Sequence, residues 1–214
     1  MENIERIQIS CPKCKEINNY KLPTSVNVSN GETSKEDIIS GKFFIKECKK
    51  CGTKMSIEYP FIYHDSFNKF MIYFFPEINS EHISRINNQL KVNENIDDEI
   101  EVIYALRIVE DLETFKEKIN IFENGKNDIT LELYKTLIIS SLKDSHPNFI
   151  PYDIIYTEED KLLVYGENDQ TITMNIINEL YEKLQDDINE IISDSIGKGF
   201  LQIDATWVKD KFYN

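Results

Sequence analysis

Four cysteines, the only ones in a chain of 214 residues, form two Cys-x-x-Cys pairs, Cys11/Cys14 and Cys48/Cys51. Each pair brings two sulfurs close enough to share one tetrahedral metal ion, and 33 residues separate Cys14 from Cys48. Four thiolates complete the coordination shell of Zn²⁺, and a complete shell is structural because a catalytic zinc keeps one position for water or substrate. The sequence therefore predicts one structural zinc ion bound by all four cysteines.

The two pairs differ in the residue that follows them. Gly52 follows the second pair, and glycine accepts the positive φ with which such a turn directs its amides toward the sulfurs. Lys15 follows the first pair, where a left-handed φ would cost about 1–2 kcal/mol. Zinc binding is worth on the order of 10 kcal/mol in zinc-finger peptides, so it would offset this strain.

Two other uses of paired cysteines remain open at the level of sequence. Disulfides in a secreted domain require a signal peptide, and the first residues contain no apolar stretch of that kind. A thioredoxin-like redox motif usually occurs once, at the start of a helix in a βαβ unit, whereas both pairs here follow strand-like segments. Both observations favour the metal site and a cytoplasmic protein.

Composition indicates globular material, with 41% hydrophobic and 29% charged residues. The longest apolar runs, such as Phe70–Phe75, are far shorter than the roughly 20 residues of a membrane span, so we expect no membrane partner. Residues 1–60 carry 10 basic and 8 acidic side chains, and the remaining residues carry 14 and 30, for a total charge of −14. The simplest interpretation of this excess of acidic over basic residues is an acidic, well-solvated surface.

Alternating apolar and polar residues predict strands on both sides of the cysteine pairs, an arrangement typical of a zinc ribbon with an inserted short helix. In chain order, the predicted elements are strand Arg6–Ser10, an extended segment Ile17–Val28 interrupted at Pro23, a helix Lys35–Ser40 capped by Ser34, and strands Phe43–Glu47, Met55–Tyr59 and Lys69–Phe75.

The rest of the chain is richer in helical periodicity, and the fold class predicted for the whole is α+β. The acidic stretch Asn93–Glu99 is the best candidate for a linker, which gives a ribbon-like module over residues 1–92 and an α/β helical region over residues 100–214. The two regions could also pack as one unit. The predicted elements are a Ser80-capped helix Glu81–Lys91, strand Glu101–Val109, a helix capped by Asp111, a helix Leu131–Leu142, a hairpin Leu162–Met174, a helix Ile177–Ile191 and a last strand Phe200–Ile203.

Three stretches give the chain a resemblance to the CpXC family, named for two Cys-Pro-x-Cys motifs. The resemblance implies a prokaryotic, specifically bacterial, zinc-binding protein without an assigned activity. Lys49 replaces the second proline of the motif, and no metal ligand is lost by this change. The matching stretches are the cysteine pairs themselves, Tyr59–Asp65 with Lys69–Tyr73, and Leu106–Val109 with Phe115–Phe122.

The adjacent residues His64 and Asp65 are the strongest candidates for catalysis, because a histidine beside a carboxylate can act as a general base. Neighbours on a strand point to opposite faces, however, so Asp65 is poorly placed to orient His64. The alternative interpretation is a turn between two strands, with its polar groups satisfied locally. We therefore name no catalytic residue from the sequence.

Three classes of function are compatible with these features. The leading hypothesis is a zinc-stabilised binding protein whose partner is another protein. The second is a nucleic-acid-binding ribbon, because six lysines cluster near the cysteines and three aromatic residues could stack bases. The third is an enzyme that uses His64. The residues of the nucleic-acid hypothesis are Lys13, Lys15, Lys46, Lys49, Lys50 and Lys54, with Phe43, Phe44 and Tyr59.

Overall fold

A computed structural model describes residues 4–31, 33–92, 104–157, 159–192 and 199–213. It has the predicted α+β composition, with several sheets and six helices among these residues. The chain divides into two compact units, one ending at Leu112 and the other starting at Glu113. The predicted linker Asn93–Glu99 lies outside the described residues.

The first unit contains two β-hairpins, each with one cysteine pair at its turn, and a four-stranded sheet of order β3-β6-β7-β8. Two short 3-10 turns, at Val28–Asn30 and Lys42–Phe44, connect these parts. The elements of this unit are β1 (Ile4–Ser10), β2 (Ile17–Pro23), β3 (Ser25–Asn27), α1 (Lys35–Ile39), β4 (Ile45–Glu47), β5 (Lys54–Ser56), β6 (Phe61–Asp65), β7 (Phe70–Phe74), α2 (Ser80–Val92) and β8 (Ala105–Val109).

The hairpins confirm the zinc-ribbon-like arrangement. Strands β1 and β2 pair antiparallel from Ile4↔Pro23 to Ser10↔Ile17, and β4 pairs antiparallel with β5. Pro23 ends β2 because proline has no N–H to donate to a ladder. The inserted helix α1 also follows the prediction, since the Ser34 hydroxyl accepts a hydrogen bond from the Asp37 N–H.

An aromatic core supports the hairpins from within the same unit. The rings of Phe44, Phe61 and Phe74 are fully buried and lie with centroids 5.7–5.9 Å apart. Tyr59 also packs against this cluster, 5.7 Å from Phe61. Fully burying one such side chain contributes roughly 1.5–3 kcal/mol.

The second unit packs helices against a three-stranded antiparallel sheet of order β11-β10-β9. Its apolar core includes Tyr134 on one helix and Tyr156, Leu162 and Val164 on the sheet. The elements are α3 (Leu112–Glu123), α4 (Asp128–Ser145), β9 (Pro151–Thr157), β10 (Lys161–Gly166), β11 (Gln170–Asn175), α5 (Asn178–Ile192) and α6 (Ala205–Phe212).

Five buried charged side chains form an ion network between α3 and α4. Lys118 lies 3.1 Å from Asp128 and 3.4 Å from Glu132, and Lys135 lies 2.7 Å from Glu117 and 3.0 Å from Glu132. Burial raises the pKa of Glu117. The two carboxylates near Lys135 outweigh its own desolvation and raise the pKa of that lysine. A network of this kind fixes how the two helices pack.

Several local predictions differ from the structure. Strand β5 stops at Ser56, short of the predicted end at Tyr59, and β9 was not predicted. Asn79 caps α2, since its Oδ1 accepts from the His82 N–H 2.9 Å away. The predicted strand Phe200–Ile203 forms only one isolated bridge, because Phe200 and Ile203 are buried as core residues ahead of helix α6. Short apolar runs do not distinguish a strand from such a segment.

Candidate metal centre

Each cysteine pair occupies the turn of its hairpin with the same backbone pattern. The N–H of Cys11 donates to the Glu16 carbonyl over 2.8 Å, and the N–H of Cys48 donates to the Thr53 carbonyl over 2.9 Å. In both turns the first cysteine is therefore bonded to the residue five positions later. The two turns, here called knuckle 1 (residues 11–16) and knuckle 2 (residues 48–53), are structurally equivalent.

The residue after each pair has a left-handed backbone conformation. Lys15 has φ 61° and Gly52 has φ 69°, and the N–H of each donates over 2.9 Å to the carbonyl of its first cysteine. Glycine adopts this conformation without penalty, whereas a side chain at Lys15 costs about 1–2 kcal/mol. The strain predicted at Lys15 is therefore present in knuckle 1.

The four sulfurs form one cluster. All four Sγ atoms lie within 4.8 Å of one another, and two contacts of 3.6 Å join the knuckles, Cys11 to Cys51 and Cys14 to Cys48. A tetrahedral ion with Zn–S distances of about 2.3 Å places its sulfurs about 3.8 Å apart. The cluster can therefore hold a metal ion.

The same geometry argues against the alternatives to a metal site. None of the four cysteines is bridged by a disulfide, and sulfur contacts of 3.6 Å join one knuckle to the other. A redox motif uses only the two cysteines of a single Cys-x-x-Cys pair. Both pairs lie in turns of antiparallel hairpins, and neither starts a helix of the kind that thioredoxin-like motifs occupy.

Hydrogen bonds to the sulfurs make two thiols more acidic. The Cys14 thiol differs: despite a backbone hydrogen bond at Glu16, burial and bonds to the other three sulfurs raise its pKa to about 12. Backbone hydrogen bonds from Cys51 and Lys50, with a side-chain bond from Asn18, lower the pKa of Cys48 to about 6 despite its burial. The hydroxyl and backbone of Thr53 lower the pKa of Cys51. A thiolate is the form that binds a metal, so these donors prepare the cluster for a cation.

Asn18 connects the two knuckles and was not identified from the sequence. Its Nδ2 donates to the Glu16 carbonyl over 3.0 Å and to the Cys48 sulfur over 3.5 Å, while its Oδ1 accepts from the Lys49 N–H over 2.9 Å. Asn18 is only 2% exposed, whereas its neighbour Ile17 is 63% exposed. Hydrophobic patterning predicts the reverse, with Ile17 buried and Asn18 exposed. No signal in the sequence therefore indicates that Asn18 supports the site.

Further polar contacts hold knuckle 2 beside the first hairpin. The Lys50 ammonium lies 2.8 Å from a Glu16 carboxylate oxygen, and the Tyr20 hydroxyl donates to the Glu47 carbonyl over 2.9 Å. The Lys49 ammonium donates to the Asn19 carbonyl over 3.3 Å. Together with Asn18, these contacts bring the two cysteine pairs to one place.

The residues of the nucleic-acid hypothesis divide into aromatic rings packed in the unit and lysines that are mostly exposed. The rings of Phe44 and Tyr59 are buried in the aromatic core and cannot stack on bases. The Lys46 ammonium donates to the Phe43 carbonyl over 2.8 Å, and burial lowers its pKa. Lys13, Lys15, Lys49, Lys50 and Lys54 are exposed, and of these Lys49 and Lys50 make the contacts described above.

His64 and Asp65 lie in strand β6, so the interpretation of these residues as a turn between two strands was wrong. Their side chains point to opposite faces of the strand, as predicted. The Nε2 of His64 lies 3.3 Å from the Tyr104 hydroxyl, and desolvation lowers the histidine pKa. The Asp65 carboxylate accepts from the N–H groups of Phe67 and Asn68 and from the Ser29 hydroxyl. Asp65 therefore organises the β6–β7 turn and does not orient His64.

Comparisons with known proteins agree with the cysteine pattern. The family model described as CpXC protein matches residues 9–135, which is more than half of the chain and includes all four cysteines. No curated protein and no solved structure matches the chain. Among the described residues, no helix is both long and apolar enough to cross a membrane.

Proposed function

The chain belongs to the CpXC family, and from this premise we propose that its four cysteines bind one structural zinc ion that stabilises a protein-interaction module. The observation that carries the proposal is the convergence of all four sulfurs within 4.8 Å. Four thiolates would complete the shell of the ion and leave the site with a net charge of about −2, so the ion would supply a cross-link and no open coordination position.

A metal cross-link would stabilise a hairpin, β4–β5, that is very short. Strands β4 and β5 have three residues each, and a short isolated hairpin is at best marginally stable in water. Metal binding in small ribbons is worth on the order of 10 kcal/mol, which exceeds the strain at Lys15. The ion would thus determine whether knuckle 2 stays next to the first hairpin.

Interaction with a protein is the function that we infer for this module. The burial of Phe44 and Tyr59 removes two of the three aromatic rings that could stack on bases, and the Lys46 ammonium is bonded to the Phe43 carbonyl. The carboxylate next to His64 in sequence, that of Asp65, is bonded to the N–H groups of the β6–β7 turn, so we give His64 no catalytic role. Reduced thiols persist in the cytoplasm, and that is the compartment we infer.

Metal analysis of protein purified without added zinc tests the proposal. We expect close to one equivalent of zinc per chain, and Cys51→Ser should lose most of it because one of four ligands is removed. Lys13→Ser is the matched control, since Lys13 is an exposed residue of knuckle 1 that should not bind the metal.

Three results would overturn the proposal. One is protein that contains no metal or two equivalents of it. Another is a Cys11–Cys14 disulfide in protein from reducing cytosol. The third is iron in place of zinc, because four thiolates in tetrahedral geometry also suit iron.

A further inference from the structure

An open depression of about 510 Å³ lies on the first hairpin next to knuckle 2. We call it the cationic groove. Among the described residues, its lining contains three cationic side chains and no acidic one. The lining residues are Arg6, Asn19, Tyr20, Lys21 and Lys49.

Two of the cations face each other across the hairpin. Arg6 and Lys21 are register partners in β1 and β2, and both are exposed. Directly opposed residues of an antiparallel pair have Cβ atoms about 4.5–5.5 Å apart on the same face, where like charges destabilise the pairing. An anion bound between Arg6 and Lys21 would remove this repulsion.

The third cation is held at the groove by the fold. The Lys49 ammonium donates to the Asn19 carbonyl over 3.3 Å, and its backbone N–H donates to Asn18. Tyr20 is half-buried, and its hydroxyl is fixed on the Glu47 carbonyl. The groove therefore has a preformed shape, which reduces the entropic cost of binding.

We propose that the cationic groove binds a short acidic segment of a partner protein through two or three carboxylates. The guanidinium of Arg6 can accept a carboxylate in bidentate fashion, and Lys21 and Lys49 supply point charges on either side. The inference rests on the proposed function, because a bound metal would keep knuckle 2, and with it Lys49, next to the hairpin. It identifies the chemistry of the partner.

Carboxylates of a peptide fit the groove better than a nucleic acid does. Proteins that bind nucleic acid well make about 6–10 phosphate contacts, and this groove offers three cations and one half-buried ring. The chain carries a net charge of −14, which repels a long polyanion more strongly than a short segment confined to the groove.

Fluorescence anisotropy with zinc-loaded, full-length protein tests the inference, with labelled hexaglutamate as the probe. Hexaglutamate should bind, and the binding should weaken as salt is added, whereas labelled hexaglutamine should not bind. The double variant Arg6→Gln/Lys21→Gln should weaken binding by about tenfold, because two ion pairs are lost. The control Lys13→Gln/Lys54→Gln removes the same charge from exposed lysines outside the groove and should bind normally.

The inference is overturned if hexaglutamate fails to bind at low salt, or if both double variants lose the same affinity. It is also overturned if a labelled twelve-nucleotide oligo-dT binds more tightly than hexaglutamate, or if only inorganic pyrophosphate competes with the probe. Zinc content is measured on every sample. If the protein contains one equivalent of zinc but does not bind the peptide, the groove proposal is rejected and the zinc proposal stands. If the protein contains no zinc, the zinc proposal is rejected whatever the peptide does.

Discussion

At the scale of single residues, the candidate metal centre depends on groups that do not bind the metal. Asn18 makes three hydrogen bonds with one amide, and they reach both knuckles and the Cys48 sulfur. Residues in contact with metal ligands orient them and adjust their basicity, and their loss typically costs 10–100-fold in affinity. Lys15 destabilises the site instead of supporting it, because its left-handed φ places strain in knuckle 1.

We expect Asn18→Ala to lower zinc affinity by about 10–100-fold without removing a ligand. Titration against a chromogenic chelator measures the affinity directly. Asn19→Ala is the matched control, because Asn19 is exposed on the other face of β2 and contributes only its backbone carbonyl to Lys49. Equal affinities for the two variants would show that the Asn18 amide does not support the site.

Lys15→Gly should raise the free energy of unfolding of zinc-loaded protein by about 1 kcal/mol, because glycine adopts φ 61° without the strain of a side chain. Denaturant unfolding followed by circular dichroism measures the change. Lys13→Gly removes the same charge and side chain at a position without positive φ, so it should not stabilise the protein. A similar shift in both variants would contradict the strain argument.

At the scale of elements, each hairpin or helix pair is held by a small set of polar contacts. The two knuckle hairpins share Asn18 and the ion pair between Lys50 and Glu16. Helices α3 and α4 share the buried ion network, in which three carboxylates meet two ammonium groups. Removing one partner of a buried ion pair costs far more than removing an exposed one, because the remaining charge stays in a medium of low polarity.

Lys118→Met should therefore destabilise the protein by about 3–5 kcal/mol, since it leaves three buried carboxylates against the single ammonium of Lys135. Urea unfolding measures the loss as a lower midpoint. Lys161→Met removes the lysine of an exposed pair with Glu159 and should change the midpoint little. If the two variants had similar midpoints, the network would not contribute to stability as inferred.

At the scale of the whole molecule, each of the two compact units contains an apolar core. The aromatic core around Phe44 belongs to the first unit, and the core around Tyr156 belongs to the second. The strand β8 pairs with β7 and so belongs to the first unit. The division into a module over residues 1–92 and a region over residues 100–214 stays a prediction about independent folding.

Cys48→Ser tests that prediction. Loss of the metal should remove amide protection over residues 4–60, whereas the helices after residue 113 should keep theirs, because they have their own core. Hydrogen exchange followed by mass spectrometry resolves the two regions, and wild-type protein treated with a chelator should show the same pattern. A uniform loss of protection along the chain would instead indicate a single cooperative domain.

The sequence by itself determined the features that depend on local chemistry. The ligand set follows from the spacing of four cysteines, the left-handed position after each pair follows from turn geometry, and Ser34 follows from its place before a helix. These features involve residues a few positions apart, so their geometry is fixed by the backbone nearby. The family resemblance carried the same local information.

Only the tertiary structure decided which distant side chains meet. The burial of Asn18, the opposition of Arg6 to Lys21 and the approach of Lys49 depend on strand register and on how two hairpins pack. A shift of one residue in a register moves every side chain to the other face, and local patterns placed Ile17, and not Asn18, inside. The convergence of the four cysteines could therefore be predicted from the sequence, while the residues that support them and the cationic groove could not.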